Sequence, residues 1–134
     1  MKHTMPTPVG SEDNQFSEIF QVTPADCISA IDDSLPSLLG TYILVKWMEI
    51  VSAKNSNRQL DDRHLTVGER ITIEHTGMAV PGEDVTILSV LERQEKRKIY
   101  FRLEAVCKGK TIATGTHKRA VLPVKILKRM MADL

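Results

Sequence analysis

At 134 residues the chain fits one ordinary domain, long enough to bury a core without disulfide or metal staples. Its 18 basic and 17 acidic residues leave a formal charge of +1, which provides no basic footprint for a nucleic-acid partner. No run approaches the ~18 consecutive apolar residues of a membrane span, and the opening MKHTMPTPVGSEDN lacks the apolar centre of a signal peptide.

Residues 1–14 are polar and punctuated by proline and glycine, the pattern of a flexible arm, so the folded domain is expected over 15–134. QFSEIFQV (15–22) fits a short strand. TPADCISAIDDSLPS (23–37) is broken by two prolines and leads to a helix whose start is expected at Ser34 or Ser37, either of which can cap free backbone N–H groups. LLGTYILVKWMEIVSA follows, an almost wholly apolar helix expected to end near Lys54 before the polar NSN. Within it stand Thr41, Lys46 and Glu49. Lysine can bend its head into water, whereas a glutamate in such a helix asks for a reason.

From Gly68 the period changes to two. RITIEHTGMAV, DVTILSVLER, KIYFRLEAVC and TIATGTHKRAVL are separated by the turns PGED, QEKR and KGK, which predicts an antiparallel meander. In the third of these strands Ile99, Phe101, Leu103, Ala105 and Cys107 share one face, so one side of the sheet is covered. KILKRMMADL predicts a short basic amphipathic helix. The expected class is α+β: a curved antiparallel sheet wraps a long central helix, and a second copy covers the remaining helix face. Cys27 and Cys107 fit neither a disulfide framework nor a zinc site, and the four histidines show no ligand spacing. Reduced thiols, a cytoplasmic location and no metal are expected.

LPSLLGTYILVKWMEI, VGERITIEHTGMAVPG and ATGTHKRAVL together resemble the hotdog-fold thioesterases, above all the fluoroacetyl-CoA thioesterase branch, from about residue 15 to the end. The resemblance implies a hotdog fold and hydrolysis of an acyl-CoA thioester without a cofactor. It also implies a homodimer or dimer of dimers with sites at the subunit interface. It carries catalytic roles to Thr41, Glu49 and His75, places Gly68 near the substrate carbonyl, and makes Arg119 a substrate-positioning group. Fluoroacetyl-specific members carry aromatic residues before the helix as a lid over the acyl group. This chain has DDSLPS there, with Leu35 as the nearest match.

The residues can be weighed apart from the resemblance. Thr41, Val45 and Glu49 form one stripe at i, i+4, i+8, and eight residues of helix rise about 12 Å. Thr41 and Glu49 of one helix are therefore too far apart to touch, so if both serve one centre either the substrate bridges them or they come from different copies. The resemblance favours the second, in which antiparallel helices across a two-fold axis bring Thr41 of one copy toward Glu49 of the other. His75, oriented by Glu49, is expected to activate either the Thr41 hydroxyl or a water, with backbone N–H groups at Gly68 or the helix N-terminus meeting the oxyanion. The plainer readings are that Thr41 bonds back to its own helix, Glu49 pairs with Lys46, His75 is a half-buried strand residue, and Arg119 pairs with Glu104 or Glu92. Lys118, Lys125, Lys128 and Arg129 add positive charge suited to the phosphates of coenzyme A. His64 and His117 show no partner in the sequence. A non-catalytic acyl-CoA binder and a hotdog hydroxyacyl or enoyl thioester lyase are the alternative functions.

Overall fold

The structure, a computed structural model, describes residues 14–134. The expected flexible arm thus lies outside the described residues except for Asn14, which is buried and accepts a hydrogen bond from Asn55 Nδ2 at 3.0 Å. Five strands and two helices follow: β1 (Gln15–Gln21), α1 (Thr41–Asn57), β2 (His64–His75), β3 (Asp84–Glu95), β4 (Lys98–Cys107), β5 (Lys110–Pro123) and α2 (Val124–Ala132). The strands form one antiparallel sheet in the order β1-β3-β4-β5-β2, with α1 packed on its inner face. This is the expected α+β hotdog arrangement.

Strand order departs from a simple meander. β3, β4 and β5 are hairpin-connected neighbours, but β2 pairs with β5 at the far edge. The segment after β2, residues 76–83, is too long for a tight hairpin, and the outer edge of β3 is already taken by β1. The two tight turns require left-handed backbone, which Lys96 supplies at φ 57° in one and Lys108 and Gly109 at φ 52° and 76° in the other.

The start of α1 also differs from expectation. Ser34 binds Asp32 through both its N–H and its hydroxyl, and Ser37 faces Ser29, so neither serine caps the helix. Leu39 is held extended by a bridge to Cys27 and by its N–H bond to the Ala79 carbonyl at 2.9 Å. The chain can turn helical only after that, and Gly40 becomes the cap.

Helix α1 buries Ile43 and Leu44, Trp47 and Met48, Val51 and Ser52, then Asn55 and Ser56, two residues per turn on one face. They meet Val85, Ile87 and Leu91 of β3 and all five inward residues expected on β4. Trp47 stacks on Phe20 of β1 with ring centroids 4.8 Å apart. The last two turns are polar yet satisfied: Ser52 bonds Ser89, Asn55 donates to Ser89 and Asn14 carbonyls, and Ser56 reaches Thr66. Tyr42, Lys46 and Lys54 mark the face that the sheet leaves open.

Candidate active site

The start and the middle of α1 each carry one part of the expected residue set. Thr41 is the first helical residue. Its cap, Gly40, has no side chain to offer, so the N–H groups of Thr41 and Tyr42 have no acceptor among the described residues. His75 closes β2, and its Nδ1 lies 2.9 Å from Thr41 Oγ1. The Leu39–Ala79 backbone bond clamps the approach to α1 against the segment leaving β2, which is why two side chains 34 positions apart meet.

Nε2 of His75 is enclosed and has no polar partner among the described residues. A neutral imidazole carries one N–H, so with Thr41 donating to Nδ1 that proton sits on Nε2. A buried donor without an acceptor costs about 1–3 kcal/mol. A catalytic role is one of the explanations for such an exception, and Asp61 Oδ2 and Gln94 Oε1 are the other two among the described residues.

Two turns further along α1, Glu49 leans over Gly68 of β2. A Cβ on Gly68 would come within 2.8 Å of Glu49 Oε1, 3.3 Å of His117 Cε1 and 3.5 Å of Arg119 Nη1, so the missing side chain opens a notch among three functional groups. Glu69 is an extra residue in β2: Gly68 pairs with Arg119 and Arg70 with Lys118, leaving Glu69 unmatched as a β-bulge.

Arg119 approaches Glu49 Oε1 at 3.9 Å, with its own side chain 8% exposed against 47% for the glutamate. Its other donors are committed. Nε donates to Thr66 Oγ1 at 2.9 Å, Nη2 to the Thr66 carbonyl at 3.0 Å, and Nη1 to His117 Nε2 at 3.1 Å. Burial pulls the Arg119 pKa down while Glu49 opposes the shift, and guanidinium remains charged even so. His117 in turn donates from Nδ1 to the Arg70 carbonyl at 2.8 Å, which fixes its neutral tautomer. Burial depresses the His117 pKa, the Arg119 cation adds to the effect, and the Arg70 carbonyl and Glu49 act against it.

The structure therefore brings Thr41 to His75, and Glu49 to Gly68 and Arg119. The expected Glu49–His75 contact is not made within one chain. Leu35 stands apart, 41% exposed on the turn closed by its N–H bond to Asp32. Arg119 does not pair at the sheet edge, since Glu104 accepts from Thr111 and Glu92 faces Arg102. His64, without a partner in the sequence reading, lies 2.9 Å from Asp61 Oδ1. Sequence reasoning also missed His117 and Thr66 as the groups that hold Arg119, although the i, i+2 spacing of His117 and Arg119 already put both on one strand face. Among the described residues no group of three or more His, Cys, Asp or Glu could hold a metal ion.

A sequence model of the fluoroacetyl-CoA-specific thioesterase family matches residues 22–125. Fluoroacetyl-CoA thioesterase of Streptantibioticus cattleyicolor is 30% identical over 87 residues, 65% of this chain and 63% of that one, so the match spans less than two thirds of the curated relative. A solved structure of fluoroacetyl-CoA thioesterase superposes with a TM-score of 0.83 at 24% identity, covering 95% of this chain and 96% of that chain. A hot-dog-like protein from Thermanaerovibrio acidaminovorans superposes at 0.85 with 21% identity, over 94% and 91% of the two chains. At these identities the two structures speak for the fold alone. With its family match over most of its length, the chain belongs to the fluoroacetyl-CoA-specific thioesterase family.

Proposed function

We propose that this protein is an acyl-CoA thioesterase, hydrolysing a small or medium acyl thioester to the free acid and coenzyme A at sites shared between two copies of the chain. The observation that carries this reading is the 2.9 Å Thr41–His75 bond beside the two free N–H groups that open α1. In the proposed reaction His75 Nδ1 takes the Thr41 proton as Oγ1 attacks the thioester carbon. The carbonyl oxygen becomes an oxyanion facing the N–H groups of Thr41 and Tyr42, where the helix dipole also favours negative charge. The C–S bond then breaks, and coenzyme A leaves as a thiolate that takes up the proton held by His75. A water next releases the acyl group from Thr41, with His75 accepting its proton and returning it to Oγ1. The acyl-CoA is the substrate, and these steps use no further cofactor.

Dimerisation is part of the proposal. β2 is a twelve-residue edge strand, a ready template for pairing with another strand. An antiparallel pairing centred between Ile71 and Thr72 sets His75 opposite the second copy's Gly68, and it runs the two α1 helices antiparallel. The second copy's Glu49, held by its Arg119, then contributes negative charge that stabilises the His75 imidazolium, and its Gly68 notch receives the thioester. Tyr42, next to Thr41, and Met78, three residues beyond His75, are exposed apolar residues and would flank the acyl group. Leu35, the nearest sequence match to the family's aromatic lid, is aliphatic and stands apart from Thr41, which argues for acyl groups beyond fluoroacetyl. Among the described residues no helix is long and apolar enough to cross a membrane, and two buried free thiols agree with a cytoplasmic setting.

Thiol release measured over a panel of acyl-CoAs tests the reading. Wild type should turn over at least one of them, and His75→Ala should lose about 10²–10⁴-fold in kcat. Equal rates for the two proteins, or binding without turnover, would overturn it.

A further inference from the structure

We infer a second binding subsite, resting on the thioesterase reading, in the groove of about 820 Å³ between the start of β2 and α2, lined by Arg63, His64, Pro123, Val124, Lys125 and Lys128 with Asp62. Its occupant is the phosphate-bearing nucleotide end of the coenzyme A thioester. The charge balance of the groove supports this. Lys125 and Lys128 stand at i, i+3 on α2 and so share a face. Neither makes an ion pair with a described residue. Arg63 reaches Asp61 only at 3.6 Å and is 61% exposed. Asp61 is also bonded to His64, so the three cations face one uncommitted carboxylate, Asp62. Positive charge is left over, in the form suited to a phosphate monoester or diphosphate.

Position supports the same occupant. His64 pairs with Pro123, and four residues along both strands Gly68 pairs with Arg119. At 3.3 Å per residue the groove begins about 13 Å from the Gly68 notch. An extended, flexible pantetheine arm would bridge that interval while its thioester lies at the notch. The apolar surfaces of Pro123 and Val124 give the arm or an adenine ring something to rest on. The groove keeps its shape because Val124 N–H donates to the Arg63 carbonyl at 2.9 Å, tying α2 to the start of β2. Helix α2 buries none of its residues, so its lysines can be changed without opening the core.

The test compares wild type with Lys125→Glu/Lys128→Glu and with the milder Lys125→Gln/Lys128→Gln. The readouts are KM for an acyl-CoA, KM for the matching acyl-pantetheine, and direct binding of adenosine 3′,5′-bisphosphate by calorimetry. Charge reversal should raise KM for acyl-CoA by roughly tenfold and leave kcat alone. KM for acyl-pantetheine, which has no nucleotide, should not move. Added salt should raise the wild-type KM for acyl-CoA and hardly affect the reversed variant. Equal KM values for wild type and variant with acyl-CoA, or equal shifts with both substrates, would overturn the subsite and leave the thioesterase reading standing. If no thioester is turned over at all, the function fails instead. The subsite then stands or falls on whether bisphosphate binds wild type, inorganic phosphate at the same concentration does not compete, and the reversed variant loses binding.

Discussion

Gly68 illustrates how little space decides the chemistry of this site. Its missing side chain lets the Glu49 carboxylate lie where a Cβ would intrude, with Arg119 and His117 close behind. Gly68→Ala should therefore displace the carboxylate, cutting kcat by roughly 10- to 100-fold, while the thermal midpoint moves little because Gly68 is exposed. His117 is a second residue whose role depends on its protonation. It accepts from Arg119 only while neutral, and burial holds its pKa below that of an exposed histidine. The unfolded chain therefore takes up this proton more readily than the folded one, so the contribution of His117 to stability is complete above the ordinary histidine value, about 6.5. It is lost as pH falls through that value toward the depressed one. Denaturant midpoints measured between pH 8 and 5 should fall more steeply for wild type than for His117→Gln, which offers Arg119 an acceptor that does not titrate in this range. Parallel curves would show that the depressed pKa has no weight in folding.

Helix α1 was legible where its residues obey a simple rule and opaque where tertiary contacts intervene. The apolar stripe and the five inward residues of β4 could be read from periodicity because burial selects side-chain type at fixed spacing. The helix start could not, because what delays it is the capture of Leu39 by Cys27 and Ala79, contacts remote in sequence. The same reason hid β2 at the sheet edge, since nothing local in its residues says whether β3 or β5 will be its neighbour. The candidate site shows the contrast at close range. Thr41, Glu49 and His75 stood out by type and motif, but that His75 joins Thr41 while Glu49 joins Arg119 is set by how β2 crosses the helix. The energetics of α1 follow from its buried stripe. Leu44 is fully enclosed against the sheet, so Leu44→Ala should cost about 2–5 kcal/mol. Denaturant unfolding with an unchanged m-value would register that cost.

For the whole molecule, the proposed sharing of sites between copies makes assembly a condition for activity, since Thr41 and Glu49 stand apart along α1. Thr41→Ala chains keep Glu49, and Glu49→Gln chains keep Thr41 and His75. Mixed and refolded together, they should form heterodimers in which one of the two sites is intact, with up to half the wild-type activity per such dimer. Activity of the mixture no higher than that of either parent would show that the sites are not shared. Sedimentation of the same mixture checks that the heterodimers form. The sequence suggested a second copy because an apolar helix with one side left over needs cover, whereas nothing local in it put β2 at the rim of the sheet, the edge on which the proposed pairing rests.

The unmatched Glu69 has a consequence for the whole site. On its N-terminal side the even-numbered Thr66 and Gly68 turn toward Arg119 and Glu49; on its C-terminal side the odd-numbered Ile71, Ile73 and His75 turn toward the core and Thr41. One surplus residue inverts the parity of the strand halfway along. Excising it would leave either the imidazole or the glycine notch aimed at solvent, so the length of this strand sets the direction of both residue sets.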